Sequence, residues 1–205
     1  MDVKSPAAEP GVRPPYLNRR YRLLPERITL KTSVIRRWRL SDKSSLIRHA
    51  NNRNVWRNLR DRFPHPYGEA EAHEWLAYAA ADTPPWGVYA IEVSGEAAGT
   101  LSLRRQAQEE RHSLEIGYWL AESYWGRGIM TEVVQTMTQL ALSEPDVYRI
   151  YAPVFSWNPV SMRILEKAGY RREGVLKRSV VKDGVLLDQV VHGVSRDPGL
   201  PYTAA

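Results

Sequence analysis

The spacing of apolar residues predicts four helices along the chain. In residues 128–145 apolar side chains recur at intervals of three and four, which predicts a helix that buries one face. Residues 158–169 open with asparagine and proline and close with glycine, as helices do at their two ends. Shorter helical patterns cover residues 42–52 and 68–81.

Other stretches alternate apolar and polar residues and predict β-strands. They are residues 27–40, 86–106, 113–121, 148–155 and 170–194. Residues 27–40 form either one strand or a hairpin, and turn residues inside 86–106 and 170–194 indicate hairpins there. Residues 54–67 mix aromatics, charges and prolines, which favours a structured loop. The pattern predicts one α+β domain whose mixed, mostly antiparallel twisted sheet is flanked by about four helices.

Composition sets the limits of the predicted domain. Residues 1–25 hold five prolines and little periodicity, so we expect an irregular Pro/Arg-rich arm before a domain at 26–196 and a tail at 197–205. The chain has no cysteine, and no two of its five histidines are spaced i, i+4, so no metal site is indicated. No apolar run is long enough for a membrane span and no signal peptide is recognisable, which makes the cytoplasm the expected location.

Charge is distributed unevenly. Residues 1–63 carry 16 Lys and Arg against 5 Asp and Glu, whereas residues 64–205 carry 13 against 18. Such a basic segment is typical either of contact with an anionic partner, such as RNA or the ribosome, or of a solvated surface.

The stretch "YWGRGIMTEVV" places Gly126 and Gly128 directly before the predicted helix. Glycines there allow the backbone to curl around an anion, which the free N–H groups of a helix N-terminus attract. The spacing matches neither a dinucleotide-binding nor a Walker loop. An ordinary glycine turn therefore stays open as an alternative.

Taken with the later "NPVSMRILEKAGY", this stretch resembles the GNAT superfamily of N-acetyltransferases. The resemblance covers residues 30–195 and is strongest to the branch of ribosomal-protein alanine and serine N-terminal acetyltransferases. It implies a GNAT-like fold, acetyl-CoA as the acetyl donor, and a primary amine as acceptor, either a protein N-terminus or a small molecule. A homodimer is compatible with it.

The resemblance also implies which residues bind acetyl-CoA. Backbone N–H groups of the glycine loop are expected to bind the pyrophosphate; the matching residues are Trp125, Gly126, Arg127, Gly128, Ile129, Met130 and Thr131. Tyr118, Trp119 and Leu120 lie on the strand that would bind the pantetheine arm. An N–H near Trp119 or Leu120 would face the thioester oxygen, and Asn158 would reach the pantetheine chain. Trp125 departs from the polar residue that the family has at this position.

Candidates for proton transfer are fewer. Glu115 is our first choice for the base, through water, with His112 as the alternative; a solvent-facing strand glutamate is the plain interpretation of Glu115. Many family members use a tyrosine acid where this chain has Leu165. In the ribosomal branch a serine is the proposed donor, and Ser161 matches it. Tyr170 is close in sequence but starts the next strand.

Two function classes follow. The first is an acetyl-CoA-dependent N-acetyltransferase, for which the basic segment predicts that polyamines are poor substrates. The alternative is a GNAT-like binding protein whose basic N-terminal face binds RNA or the ribosome. Trp38 and Trp56, which lie beside arginines, could stack on bases in that case or belong to the core.

Overall fold

The computed structural model describes residues 25–80 and 87–196. The predicted tail, and the predicted arm apart from Pro25, lie outside the described residues, so the predicted domain boundaries stay predictions. The helices and strands follow in chain order: β1 (Arg27–Thr29), β2 (Val34–Arg37), α1 (Lys43–Ala50), α2 (Arg53–Trp56), α3 (Glu69–Ala80), β3 (Val88–Val93), β4 (Glu96–Arg105), β5 (Ser113–Leu120), α4 (Ile129–Leu142), β6 (Arg149–Phe155), α5 (Pro159–Lys167), β7 (Arg171–Lys182) and β8 (Val185–Ser195).

The described strands form one sheet in the order β1-β2-β3-β4-β5-β6-β8-β7. Every neighbouring pair is antiparallel except β5 and β6, which are parallel. This parallel pair joins the two halves of the sheet, and its connection contains α4. The predicted α+β fold with a mixed, mostly antiparallel sheet is confirmed.

Both faces of the sheet are buried under helices. Along β3, Tyr89 and Ile91 join the core formed with α4 and α5, whereas Val88 and Ala90 join a second core formed with α1, α2 and α3. Because side chains alternate along a strand, one apolar strand can supply both cores. The same alternation divides the side chains of β5 between the two faces.

The sheet is flanked by five helices among the described residues, one more than the sequence predicted. The additional helix is α2, a single turn that begins at Arg53 and covers the start of the stretch 54–67, which we expected to be a loop. The side chain of Asn52 caps it by accepting from the backbone N–H groups of Asn54 and Val55. Glu122 in turn accepts from the side-chain amides of Asn52 and Asn54, at 2.8 and 2.9 Å. A single turn of four residues is too short to leave a periodic signal in the sequence.

Candidate functional site

A cleft opens where β5 and β6 separate. Their parallel register covers only Ser113–Glu115 opposite Arg149–Tyr151. Beyond it, Gly117–Leu120 of β5 and Ala152–Phe155 of β6 line a cleft of about 1200 Å³. A gap in the middle of a sheet exposes backbone groups that would otherwise bond to the neighbouring strand.

The register of β5 decides which backbone groups face this gap. Ala121 donates its backbone N–H to the carbonyl of Ala98, beside β4, at 2.7 Å. Hydrogen-bonded pairs recur every second residue in an antiparallel ladder, so Trp119 also directs its peptide groups to β4. Tyr118 and Leu120 direct theirs towards β6 and the gap. Of the two residues that the sequence left open for the thioester oxygen, the register favours Leu120.

The glycine loop lies at one end of the cleft. Gly126 and Gly128 both have left-handed backbone conformations, with φ of 76° and 77°, which glycine adopts without strain. Gly128 is the N-cap of α4 and has no side chain to occupy the free N–H groups of the first turn. Those groups belong to Ile129, Met130 and Thr131, all of which line the cleft. The loop therefore presents the partial positive charge of a helix N-terminus to the cleft.

Two side chains fix the shape of this loop. The indole Nε1 of Trp125 donates to the backbone carbonyl of Leu120 at 2.7 Å. Arg127 donates to the carbonyl of Ser123 at 2.8 Å, and its guanidinium lies 5.2 Å from the ring centroid of Tyr124. Both contacts are local to the loop and the end of β5.

The opposite wall of the cleft is the start of α5. Asn158 caps this helix, because its Oδ1 accepts from the backbone N–H of Ser161 at 3.1 Å. Capping uses only the oxygen of the side chain and leaves its two amide donors for another group. Ser161 lines the cleft as well, and its Oγ lies 2.9 Å from the hydroxyl of Tyr118. Leu165 is fully buried in the core instead.

Glu115 lies on the face of the sheet towards α1, α2 and α3. Its carboxylate pairs with Arg60 at 2.7 Å and also with Arg104, which stands opposite it on β4. Only 12% of the side chain is exposed. The Glu115 carboxylate is therefore paired rather than free in solvent. Its two arginine partners also line the cleft, and sequence patterns did not indicate them.

Residues 52–63, which we call the strap, contact both sides of the cleft. Arg60 of the strap pairs with Glu115 of β5. On the other side, the guanidinium of Arg57 lies 4.8 Å from the ring centroid of Trp157, just before α5. Asp61 accepts from the buried Lys182 of the β7–β8 hairpin at 2.7 Å. The strap thus links the two halves of the sheet across the gap.

Two residues considered for proton transfer from the sequence lie elsewhere. His112 bonds to the carbonyl of Asp146 at 2.8 Å and packs on Tyr148, and it is not among the cleft-lining residues. Tyr170 is buried away from the cleft and bonds to Thr138. Neither is placed for proton transfer in the cleft.

The two tryptophans considered for base stacking are also engaged. Trp38 is 3% exposed and belongs to the core beneath α1, α2 and α3. The ring of Trp56 is covered by Lys182, whose Nζ lies 3.7 Å from the ring centroid. Stacking on RNA bases would require either side chain to leave these contacts.

Metal and membrane signals are absent from the part of the chain that is described. Within residues 25–80 and 87–196, no three His, Asp or Glu side chains are grouped as a metal site would need. Over the same ranges, no helix combines the length and apolar character that crossing a membrane requires.

Comparison with known proteins identifies the family. A model described as an acetyltransferase (GNAT) domain matches residues 33–171. The chain is 40% identical over 93 residues to the probable N-acetyltransferase YjcK of Bacillus subtilis (strain 168), covering 45% of this chain and 51% of YjcK. It is 28% identical over 92 residues to the ribosomal-protein-serine acetyltransferase of Escherichia coli (strain K12), covering 45% of this chain and 51% of that enzyme. The chain spans about half the length of such curated relatives.

Solved structures agree on the fold. A GNAT-family acetyltransferase from Bacillus anthracis superposes with a TM-score of 0.70 at 20% identity, covering 82% of this chain and 98% of that one. RimL, a ribosomal L7/L12 alpha-N-protein acetyltransferase in complex with coenzyme A, superposes with a TM-score of 0.73 at 21% identity, covering 83% of this chain and 98% of RimL. The sequence motifs, the separated strands and these matches agree, and the chain belongs to the acetyltransferase (GNAT) family.

Proposed function

We propose that this protein is an N-acetyltransferase that moves the acetyl group of acetyl-CoA to a primary amine. The amine is a protein or peptide α-amine or a small-molecule amine. The observation that carries the proposal is that the uncapped first turn of α4 and the gap between β5 and β6 open into one cleft. A diphosphate and an extended arm joined to it need those two features side by side.

The residues of the cleft fit acetyl-CoA chemically. N–H groups in residues 125–131 would bind its diphosphate, because amides at a helix N-terminus suit an anion. The inward-facing peptide groups of Tyr118, with the side-chain amide of Asn158, would bind the amide-bearing pantetheine arm. Acetyl-CoA supplies the activated thioester. Trp119 contributes packing in this proposal, since its peptide groups face β4.

Two groups would assist the transfer. The N–H of Leu120 would stabilise negative charge on the thioester oxygen, and one such donor is worth about 3 kcal/mol in well-studied enzymes. Glu115, on the face of the sheet towards α1, α2 and α3, is the candidate base and would act through water. Its carboxylate is already paired with Arg60 and Arg104, so we expect a small contribution to the rate. An α-amine with a pKa of about 8 requires no more than that.

The acceptor end of the cleft is basic. The guanidinium groups that line it belong to Arg57, Arg60, Arg62, Arg104 and Arg105. Glu115 and Asp146 neutralise part of this charge, and Glu71 and Glu74 of α3 also line the cleft. We propose that neutral or acidic amines are preferred and that polyamines such as spermidine are poor acceptors.

Thermal unfolding tests donor binding first. Acetyl-CoA at about 100 times its dissociation constant should stabilise the protein by about 2.7 kcal/mol, whereas RNA of mixed sequence should not. Release of free CoA should then be measured over dipeptides, small amines and spermidine at constant ionic strength. Stabilisation by RNA but not by acetyl-CoA would reject the enzyme in favour of a binding protein. Rapid turnover of spermidine with a low KM would reject the proposed acceptor class alone.

A further inference from the structure

A tyrosine hydroxyl reaches α5 from the opposite wall of the cleft. Tyr118 lies on the face of β5 towards α4 and α5, and its Oη lies 2.9 Å from Ser161 Oγ and 3.2 Å from the Ser161 carbonyl oxygen. Tyr118 and Ser161 both line the cleft. Because side chains alternate along the strand, this pair lies on the other face of the sheet from Glu115.

The two hydroxyls can share their protons in two ways. Each hydroxyl has one proton to donate and can also accept. In one arrangement Ser161 donates to Tyr118, and Tyr118 donates to the Ser161 carbonyl. In the other, Tyr118 donates to Ser161 Oγ, and the serine proton is free to point into the cleft. Burial raises the pKa of Tyr118 above its ordinary value of 10.0, so the phenol stays protonated and serves as a donor in either arrangement.

We propose that Tyr118 is a positioning residue that turns the Ser161 hydroxyl towards the sulfur of coenzyme A. When negative charge collects on that sulfur, the Ser161 proton forms a hydrogen bond to it, and Tyr118 holds Ser161 Oγ in place by donating to it. The inference rests on the proposed function, because it assigns a role in the departure of the thiol. Many family members have a tyrosine within α5 where this chain has Leu165. In this proposal a tyrosine hydroxyl comes from β5 instead.

The reaction balances without proton loss from Tyr118. The amine nitrogen forms a bond to the acetyl carbon, and the carbon–sulfur bond breaks with its electron pair going to sulfur. The proton that nitrogen loses passes through water to Glu115 and from there to solvent, and the thiolate takes up a proton from solvent to leave as free thiol. Ser161 and Tyr118 keep their own protons and only redirect their hydrogen bonds. Their contribution is to stabilise the thiolate while it forms.

Ionisation of bound CoA tests this directly and does not depend on an acceptor. Thiolate absorbance should be recorded against pH for CoA bound to wild type, Tyr118→Phe and Ser161→Ala. The thiol should ionise at lower pH in wild type than in free CoA, whose thiol pKa is about 8.5. Tyr118→Phe should shift that midpoint up by about 0.7 pH units, a fivefold change, and Ser161→Ala should shift it further, because a hydrogen bond to an ionised group is stronger than a neutral one.

Turnover gives a second readout. Tyr118→Phe should lower kcat about fivefold and leave KM for acetyl-CoA within about twofold, since the contact matters only as charge develops. Tyr170→Phe is the matched control, because Tyr170 Oη also bonds to a hydroxyl, Thr138 Oγ1, at 2.8 Å and is buried outside the cleft. The Tyr170→Phe variant should be less stable than wild type, with kcat and the ionisation of the bound thiol unchanged.

The outcomes separate the two proposals. If Tyr118→Phe changes only stability, as Tyr170→Phe does, and the bound thiol ionises as in wild type, the role of Tyr118 is overturned while the proposed function stands. If wild type fails to bind CoA at all, the proposed function is overturned and this inference with it.

Discussion

The indole N–H of Trp125 donates to the backbone carbonyl of Leu120 at 2.7 Å, which ties the glycine loop to the end of β5. Leu120 contributes its own N–H to the gap in the sheet, so one residue borders both parts of the cleft. Trp125 departs from the polar residue of the family pattern, yet it retains a donor in its ring. Its bond fixes the distance between the loop that would hold the diphosphate and the strand that would hold the pantetheine arm.

Trp125→Phe should weaken binding of acetyl-CoA. The change removes the indole donor and keeps an aromatic ring, so the loop loses one hydrogen bond of about 1 kcal/mol. We expect the Kd for acetyl-CoA to rise about fivefold, measured by titration calorimetry. An unchanged Kd would mean that the loop keeps its position without this bond.

Gly128→Ala should also weaken binding, through the backbone. A Cβ at Gly128 meets no atom within 4 Å, but φ is +77° there, and an alanine in that conformation costs about 1–2 kcal/mol. The loop can relieve the strain only by turning its N–H groups away. We expect the Kd for acetyl-CoA to rise about tenfold.

Gly184→Ala provides the matched control for this change. Gly184 has φ of +73° with no atom within 4 Å, and it lies in the β7–β8 turn, away from the cleft lining. Gly184→Ala should lower the melting temperature about as much as Gly128→Ala does, without changing the affinity for acetyl-CoA. Equal losses of affinity in both variants would contradict a specific role of the glycine loop.

Glu115→Gln should have a modest effect on turnover. Because Arg60 and Arg104 already hold the carboxylate, we expect kcat with a dipeptide at pH 8 to fall by about tenfold or less, against the 100-fold or more that is typical of an essential base. Glu173→Gln is the control, since Glu173 pairs with Arg149 outside the cleft lining. A loss above 100-fold specific to Glu115 would establish it as the essential base.

Glu92 should make folding stability depend on pH. Arg36 Nε donates to its carboxylate at 2.5 Å, which lowers the pKa of Glu92 below its ordinary value of 4.5. A lowered pKa stabilises the fold above the pKa of the unfolded chain, and this stability is lost as pH falls through the folded pKa. The difference in melting temperature between wild type and Glu92→Gln should therefore be largest near pH 7 and shrink below pH 4.5. A difference that stays constant down to pH 3 would show that the pair does not contribute through ionisation.

The sequence predicted elements that local rules dictate. The periodic apolar face of α4, the cap and closing glycine of α5, and the hairpins β3–β4 and β7–β8 all follow from residues that are close neighbours in the chain. Helix α2 was missed because a single turn of four residues is too short to show a periodic apolar pattern, and Glu122, which binds the amides of Asn52 and Asn54, lies about seventy positions away. The arginine partners of Glu115 were missed because Arg60 lies 55 positions from it.

The sequence by itself determined the family, the α+β fold and the glycine loop, because spacing, capping and backbone conformation act over a few residues. Only the tertiary structure decided which groups face one another across the cleft. The register of β5 against β4 turned Leu120 rather than Trp119 to the gap, and the packing of α5 brought Ser161 to Tyr118, 43 positions away. Such pairings depend on strand register and helix docking, which result from the packing of the whole core.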